Sequence, residues 1–354
     1  MRFLRFLPIV LIGLSLFYVG CQRPISDDEA DVSPWQMLSD TTQRVIQNVH
    51  GTPFELYVVT EDEFLRFDDE GRNISRRPLA APHGRQGIPA VSDNVLTRIK
   101  FSETDDQVLE FSLTRELANT ISFTPDQFAD ANDNTVLYNV PANHPLGAFD
   151  DDNRRFLTVA RVFEDNRNHL ALLLFDIRQT ALFDQFESVE LLTRVDLPDQ
   201  PAQQDRINSI RFVGGNFYVN TLDGAYRMTP DGETEKIFSD WRIDLFELNG
   251  TLFSTAFNPF DLQNSYDDGL TWERANVNAV PKYAQIVNGR ILSQDRRGGV
   301  YFVAEDVETK KQILYPEEVN TSNFYFYGVA YVGDRYYFSV DKQLWWTDEL
   351  FYDD

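Results

Sequence analysis

The sequence predicts an all-β domain built from repeated four-stranded antiparallel units, and three observations carry that prediction. From about residue 42 onward, short runs rich in Val, Phe, Tyr, Ile and Thr alternate apolar with polar residues, which is the period of a strand. Tight turns recur at His50-Gly51, Gly215-Asn216, Asn249-Gly250, Asn288-Gly289 and Gly333-Asp334, the last four of them 34, 39 and 45 residues apart. A second glycine turn follows at a near-fixed offset: 20 residues from Gly51 to Gly71, 17 from Gly215 to Gly232 and 19 from Gly250 to Gly269. Two strands and their connection fill that offset, so each unit is a meander with two apolar faces to bury. Units of this kind bury both faces by standing in a ring. The expected fold is therefore a β-propeller, with seven blades and with six or eight as alternatives.

The units fall near 42–80, 88–125, 131–200, 205–240, 242–281, 283–320 and 323–354. Leu56-Tyr57-Val58-Val59, Phe217-Tyr218-Val219, Tyr301-Phe302-Val303 and Tyr336-Tyr337-Phe338 are representative strands. The third unit is too long for one blade and leaves room for an inserted loop or helix. Within it, 175–192 is the one stretch that could be partly helical. The last unit is too short, with three clear strands at most. A strand from the amino-terminal side, Gln43 to Val49 or one close to it, is expected beside Trp345 and Trp346 to complete it. Hydrophobic residues make up 42% of the chain and aromatics 14%, enough for a large core without disulfides.

Ahead of the domain, Met1 to Arg5 carries two arginines and no acid, and Phe6 to Gly20 is almost wholly apolar. Fifteen residues reach only about 22 Å as a helix, short of the roughly 30 Å hydrocarbon core. Cys21, the only cysteine, follows Tyr18-Val19-Gly20. This layout resembles a bacterial lipoprotein signal, in which the cysteine after a small residue is acylated, although Tyr18 stands where a small aliphatic residue is usual. The resemblance implies a signal peptide at 1–20, lipid attachment at Cys21 and, because Gln22 follows, an outer-membrane address, periplasmic or surface-exposed. An ordinary secretory signal cut elsewhere is the alternative. Residues 21–41 read as an acidic tether, with the run Ser26-Asp27-Asp28-Glu29-Ala30-Asp31 and one apolar cluster, Pro34-Trp35-Gln36-Met37-Leu38. The domain then spans 42–354. Without residues 1–20 the net charge moves from -24 to -26, 30 basic against 56 acidic residues. Such a surface excludes nucleic acid as a partner.

Ser265-Tyr266-Asp267-Asp268-Gly269-Leu270-Thr271-Trp272 fits S-x-D-x-G-x-T-W at every fixed position. It resembles the Asp-box of BNR-repeat propellers, the group of sialidases, sortilin-like receptors and photosystem-assembly-factor-like proteins. The local chemistry suits a turn between third and fourth strands. Asp267 can accept backbone N–H bonds, Gly269 supplies a positive φ, Ser265 and Thr271 can brace the carboxylate, and Trp272 adds apolar cover. Asp69-Glu70-Gly71 and Thr229-Pro230-Asp231-Gly232-Glu233-Thr234 are degenerate copies. In the resembled families this box is a structural device away from the ligand face.

Other constellations read as surface or core. Arg76-Arg77-Pro78 is similar to the sialidase arginine motif, but arginines facing excess acids account for it better. Asp130-Ala131-Asn132-Asp133-Asn134 begins like a calcium loop and then lacks its glycine and its glutamate. Asp150-Asp151-Asp152 reads as a solvated turn. His50, His83, His144 and His169 lack metal spacing, so neither metal nor cofactor is expected. Trp345-Trp346 reads as packing rather than sugar stacking, since adjacent strand residues face opposite ways. The expected function is a monomeric, lipid-anchored envelope propeller that binds a protein or glycan partner without catalysis. A sialidase-like exo-glycosidase and an envelope assembly factor are the alternatives.

Overall fold

The computed structural model describes residues 35–38, 44–79, 87–101, 107–128, 135–138, 144–164, 167–198, 207–257, 260–275, 284–294, 301–304, 311–314, 328–340 and 342–350. Residues 1–34, including Cys21, lie outside them, and 35–354 forms one compact unit. Among the described residues the strands form seven antiparallel sheets. The first holds Ile46–Gly51, Glu55–Thr60, Glu63–Asp68 and Asn73–Pro78, and the second Ala90–Val91, Val95–Phe101, Gln107–Leu113 and Thr120–Phe123. The third adds a fifth strand: Thr135–Tyr138 and Gly147–Phe149 both pair with Arg155–Glu164, which is followed by Arg167–Gln179 and Phe186–Asp196. The fourth and fifth are meanders over 207–238 and 242–274, and the sixth covers 284–312. The seventh combines Val329–Val332, Arg335–Val340 and Gln343–Thr347 with Gln36–Met37.

Why these segments form strands buried on both sides is plainest in the third sheet. Along Arg167–Gln179, Leu170, Leu172 and Leu174 enter a cluster shared with the fourth sheet. Ala171, Leu173 and Phe175 enter one shared with the second, where Phe111 meets the Phe156 ring edge-on with centroids 5.4 Å apart. A strand covered on both faces reads as a continuous apolar run, which hides its two-residue period. The partial helix considered for 175–192 is absent: Arg167–Gln179 and Phe186–Asp196 pair through a short hairpin. The third unit is long because its strands are 10, 13 and 11 residues and its inner strand is split in two.

The packing between sheets is cyclic. Each hydrophobic cluster straddles two consecutive sheets, and one of them joins the seventh to the first through Val332, Tyr337, Val49 and Leu56. The short seventh sheet is completed by Gln36–Met37, with Gln36 opposite Trp346 and Met37 opposite Trp345. This corrects the tether boundary at 41 and the identity of the expected strand. Ile46–Gly51 belongs to the first sheet, whereas the apolar cluster around Trp35 carries the pairing. Trp35 sinks among Phe338, Val340 and Leu350 on one face, its ring 5.0 Å from Phe338, and Leu38 sinks toward Leu344 and Tyr337 on the other. Burial on both faces gives this segment the apolar anchorage that its acidic neighbours lack.

Candidate functional site

The inner strands of the first, fourth and fifth sheets share a feature that fills the middle of the molecule with polar groups. Each carries a register shift at its start, between Ile46 and Asn48, Ile207 and Ser209, and Arg242 and Asp244. A bulge re-aims the side chain that follows it, and here Asn48, Ser209 and Asp244 are all buried. Asn48 Nδ2 donates to the Pro89 carbonyl at 2.7 Å, and Asn220 Nδ2 donates to Ser209 Oγ at 2.9 Å. Asp244 accepts Arg211 Nε at 3.1 Å and Nη2 at 2.9 Å, and Arg211 Nη2 also donates to the Ala284 carbonyl of the sixth sheet at 2.7 Å. His144, on the segment entering the third sheet, brings Nε2 to 3.6 Å from Asp244 Oδ2. The bonds of this cluster therefore tie the fourth, fifth and sixth sheets together, and His144 packs against it from the third.

Electrostatics fixes its charge state. Burial alone would push the Asp244 carboxyl up, but Arg211, His144 and the Leu245 N–H outweigh it and hold the group below its ordinary range. Burial pushes His144 down to about 4, against the pull of Asp244, so the imidazole is neutral near neutral pH. The cluster holds one carboxylate, one guanidinium and one neutral imidazole, with the carboxylate and the imidazole shut away from water. It is built to staple sheets.

Beside it lies an open cleft of about 350 Å³, between the inner strands of the first three sheets. Asn48, His50, Ala90, Asp93, Phe149 and Asp151 are among its walls. The segment carrying His144 is laid against the second sheet by Leu146 N–H donating to the Ile88 carbonyl at 2.8 Å. His50 Nε2 stands 3.0 Å from Asp93 Oδ1. Asp150 shapes the opposite rim, its Oδ1 accepting the backbone N–H groups of Arg154 at 2.7 Å and Arg155 at 2.9 Å. Asp150 is thus a turn-forming residue as well as a cleft residue, more than the solvated turn expected of 150–152.

The motif at 265–272 sits between Phe260–Ser265 and Glu273–Arg274, the third and fourth strands of the fifth sheet. Asp267 Oδ1 accepts Ser265 Oγ–H at 2.7 Å and Thr271 N–H at 2.9 Å, and Oδ2 accepts Thr271 Oγ1–H at 2.6 Å. These bonds, led by the Thr271 hydroxyl, hold the carboxyl down at about 2. Gly269 has φ +80°, its N–H donates to Ser265 Oγ, and its carbonyl accepts Trp272 Nε1–H at 3.0 Å. A Cβ there would stand 3.0 Å from Tyr218 Oη. Equivalent turns recur, with one correction. Asp68, not Asp69, accepts the Glu70 and Arg72 N–H groups, and at 229–233 the Thr229 hydroxyl takes the carboxylate's place. Each turn also receives a bond from the preceding sheet: Arg335 to the Glu70 carbonyl, Arg155 to Pro230 and Arg227 to Asp268. Asp267→Ala should therefore lower the melting temperature at neutral pH while leaving binding intact in the folded fraction. Loss of binding at an unchanged melting temperature would refute this.

The remaining candidates scatter. Arg76 and Arg77 lie on an outer strand and pair with Glu63 and Glu116. Trp345 is buried, and the Arg335 guanidinium stacks over Trp346 at 4.1 Å. His50, His144 and His169 each face a different aspartate, and among the described residues no three ligands gather for a metal. His83 and residues 130–134 lie outside the described residues. Among the described residues no helix is long and apolar enough to cross a membrane. Neither the His144–Asp244–Arg211 cluster nor the cleft was indicated by sequence motifs. Only the aspartates and histidines themselves were visible.

No protein family and no curated protein matches the chain. Solved structures do. A catalytically inactive variant of virginiamycin B lyase from Staphylococcus aureus with quinupristin superimposes with TM-score 0.54 at 9% identity, over 88% of this chain and 98% of that one. The RRP9 WD40 repeats give 0.51 at 10% identity, over 90% and 97%. The extracellular domain of the one-component system BT4673 from B. thetaiotaomicron gives 0.50 at 13% identity, over 88% of this chain but 39% of that one. These likenesses show a propeller-like, all-β fold shared by proteins of different function.

Proposed function

We propose that the protein is a seven-bladed propeller anchored to the bacterial envelope through Cys21, which binds a protein or glycan partner without catalysis. The observation that carries the reading is how the ionisable groups are divided. Those in the middle are taken up by the scaffold: Arg211 bonds to Asp244 and to the Ala284 carbonyl, and His144 lies buried 3.6 Å from Asp244. The cleft beside them stays open, with carboxylates at its rim. The cyclic packing supports seven blades and a rigid platform, and the turns at 68–72, 229–233 and 267–271 serve as clasps between sheets.

Two experiments test it. Cys21→Ser should abolish incorporation of labelled palmitate and release the protein from envelope membranes. Labelling as strong as wild type would remove the anchor. A photo-crosslinking residue at position 151 should give a discrete adduct in growing cells, and the purified protein should leave a fluorogenic sialoside intact. Turnover of the sialoside would overturn the non-catalytic reading.

A further inference from the structure

We infer that the end of the domain formed by the first–second and third–fourth turns of its sheets lies against the bilayer that holds the lipid. Its apolar turn side chains, Phe54, Leu182, Phe183, Tyr266 and Leu270, enter a zwitterionic interface. The inference rests on reading the chain as lipid-anchored at Cys21 and adds the orientation of the domain and the surface that fixes it. A partner crosslinked from position 151, on a turn of the same end, is then met at the membrane surface.

Antiparallel pairing puts these two turns of a four-stranded sheet at one end and the second–third turn at the other. Contacts between neighbouring sheets show that the ends agree from the seventh sheet round to the fifth. Arg335, at the start of a second strand, reaches the Glu70 carbonyl in the first sheet's third–fourth turn, and the Tyr57 hydroxyl donates to the Asp93 carbonyl in the second sheet's first–second turn. First–second turns of the second and third sheets line one cleft, and Arg155 and Arg227 reach Pro230 and Asp268 in the next two third–fourth turns. Among the described residues, half of the exposed large hydrophobic side chains stand on turns, and every one of those turns is at this end. Leu182 and Phe54 are 78% and 74% exposed. The five come from the first, third and fifth sheets, so they are spread around the ring and suit a broad, flat surface better than a pocket-sized patch.

The chain meets the domain at the same end. Gln36–Met37 runs antiparallel to Gln343–Thr347, so Trp35 stands beside the close of the third strand, where the other sheets have their third–fourth turns. Its surroundings agree. Trp272, which follows that turn in the fifth sheet, packs on Phe238 at the end of the fourth sheet's outer strand, and Trp35 bonds to the Leu314 carbonyl just past the sixth sheet's outer strand. Residues 22–34 span at most about 45 Å when extended, so with Cys21 lipidated the point of entry stays within that reach of the headgroups. Insertion then becomes an intramolecular event, and apolar tips too weak to hold a free domain suffice to orient a tethered one. The tip at 180–185 is held in shape for this. Phe183 has φ +54°, a costly conformation for an aromatic residue. Its N–H donates to the Thr180 carbonyl at 2.9 Å, and the Thr180 hydroxyl donates to Asp184 Oδ1 at 2.6 Å. Strain that displays Leu182 and Phe183 instead of burying them points to a surface that receives them. Asp184 and Asp268 stand beside the tips and repel anionic headgroups, which leaves a zwitterionic surface as the one that fits.

The lipidated full-length protein, labelled with a fluorophore after Leu182→Cys, Tyr266→Cys or Glu61→Cys, would be reconstituted into phosphatidylcholine–phosphatidylethanolamine vesicles carrying nitroxide acyl chains. Cys21 is the only native cysteine, and its lipidation leaves the introduced thiol as the one that labels. Glu61 sits on the second–third turn of the first sheet, at the opposite end. Labels at 182 and 266 should be quenched about threefold more than the label at 61, as expected for groups lying roughly 5–10 Å into the interface. Phe54→Ser with Phe183→Ser should lower the quenching at 266, and so should added phosphatidylglycerol. Equal quenching at the three positions, in protein that floats with the vesicles, would overturn the proposal and leave the anchor standing. Protein that does not float would remove the anchor and the proposal with it. A crosslinker at 182 that captures a protein in cells, while the label there escapes lipid quenching, would assign these turns to a protein partner and equally overturn the proposal.

Discussion

Replacing Trp35 with alanine should lower the stability of the whole domain by about 3–5 kcal/mol, the range for a tryptophan truncated in a packed core. Trp35 is 5% exposed, meets the Phe338 ring edge-on and donates its indole N–H to the Leu314 carbonyl at 2.8 Å. Truncation removes a large apolar area and leaves that carbonyl without its donor. Met37, two residues along and 48% exposed, is the matched control, and Met37→Ala should shift stability by less than about 0.5 kcal/mol. The partner strand matters still more. Deleting residues 341–354 removes Gln343–Thr347, which pairs with both Arg335–Val340 and Gln36–Met37. It also removes Leu344, Trp345 and Leu350 from the core. That truncation should abolish the cooperative transition rather than trim a tail, since it exposes sheet edges and two apolar faces together. Denaturant unfolding followed by tryptophan fluorescence measures both effects. Equal behaviour of Trp35→Ala and Met37→Ala, or unchanged cooperativity in the truncated chain, would show that the ring is not closed by these strands.

Acidification from pH 7 to 4 should destabilise the protein by about 3 kcal/mol through His144 alone. The imidazole has its folded pKa pushed down by burial to about 4, against an ordinary 6.5. The folded state then holds fewer protons than the unfolded one across that interval. The contribution is complete above about 6.5 and is lost as pH falls toward about 4. Asp244 does not compete in this window, because Arg211 and His144 hold its carboxyl below the ordinary carboxylate range despite burial. Asp267, held at about 2, titrates lower still, and its bonds are lost only as pH drops from about 3.8 through that value. His144→Gln removes the titrating group and should flatten the stability profile between pH 6.5 and 4. Parallel profiles for the two proteins would mean that His144 is not buried in neutral form.

Much of the fold is local chemistry and was legible. Turn residues punctuate the chain where hairpins form: Asn249, Asn288 and Asp334 all adopt positive φ, as do the glycines beside them. The first four expected segments match described sheets to within a few residues and the last three overrun theirs by up to eight, with Gln36–Met37 joining the seventh from outside; each meander otherwise closes on itself through short connections. The motif at 265–272 could be placed between third and fourth strands for the same reason: its bonds span four residues. The site was far less legible. His50, Asp93, Asp150 and Asp151 come from three different sheets, and no spacing in the chain announces their meeting. Asp244 is aimed inward by a bulge that depends on the partner strand, and a bulge leaves no signature in composition.

By itself, then, the sequence determined the strands, their grouping into meanders, the acidic surface and the turn that clasps the fifth sheet. Alternation and turn propensity act over a few residues and do not need the rest of the chain. Only the tertiary structure decided that Gln36–Met37, and not the segment starting at Gln43, completes the seventh sheet. The choice depends on which apolar cluster can bury both of its flanks against Phe338 and Leu344 once the other sheets are in place. Tertiary structure also decided that Arg211 meets Asp244 and that His50 meets Asp93. Such encounters are set by how the inner strands converge, through long-range packing that no local pattern encodes.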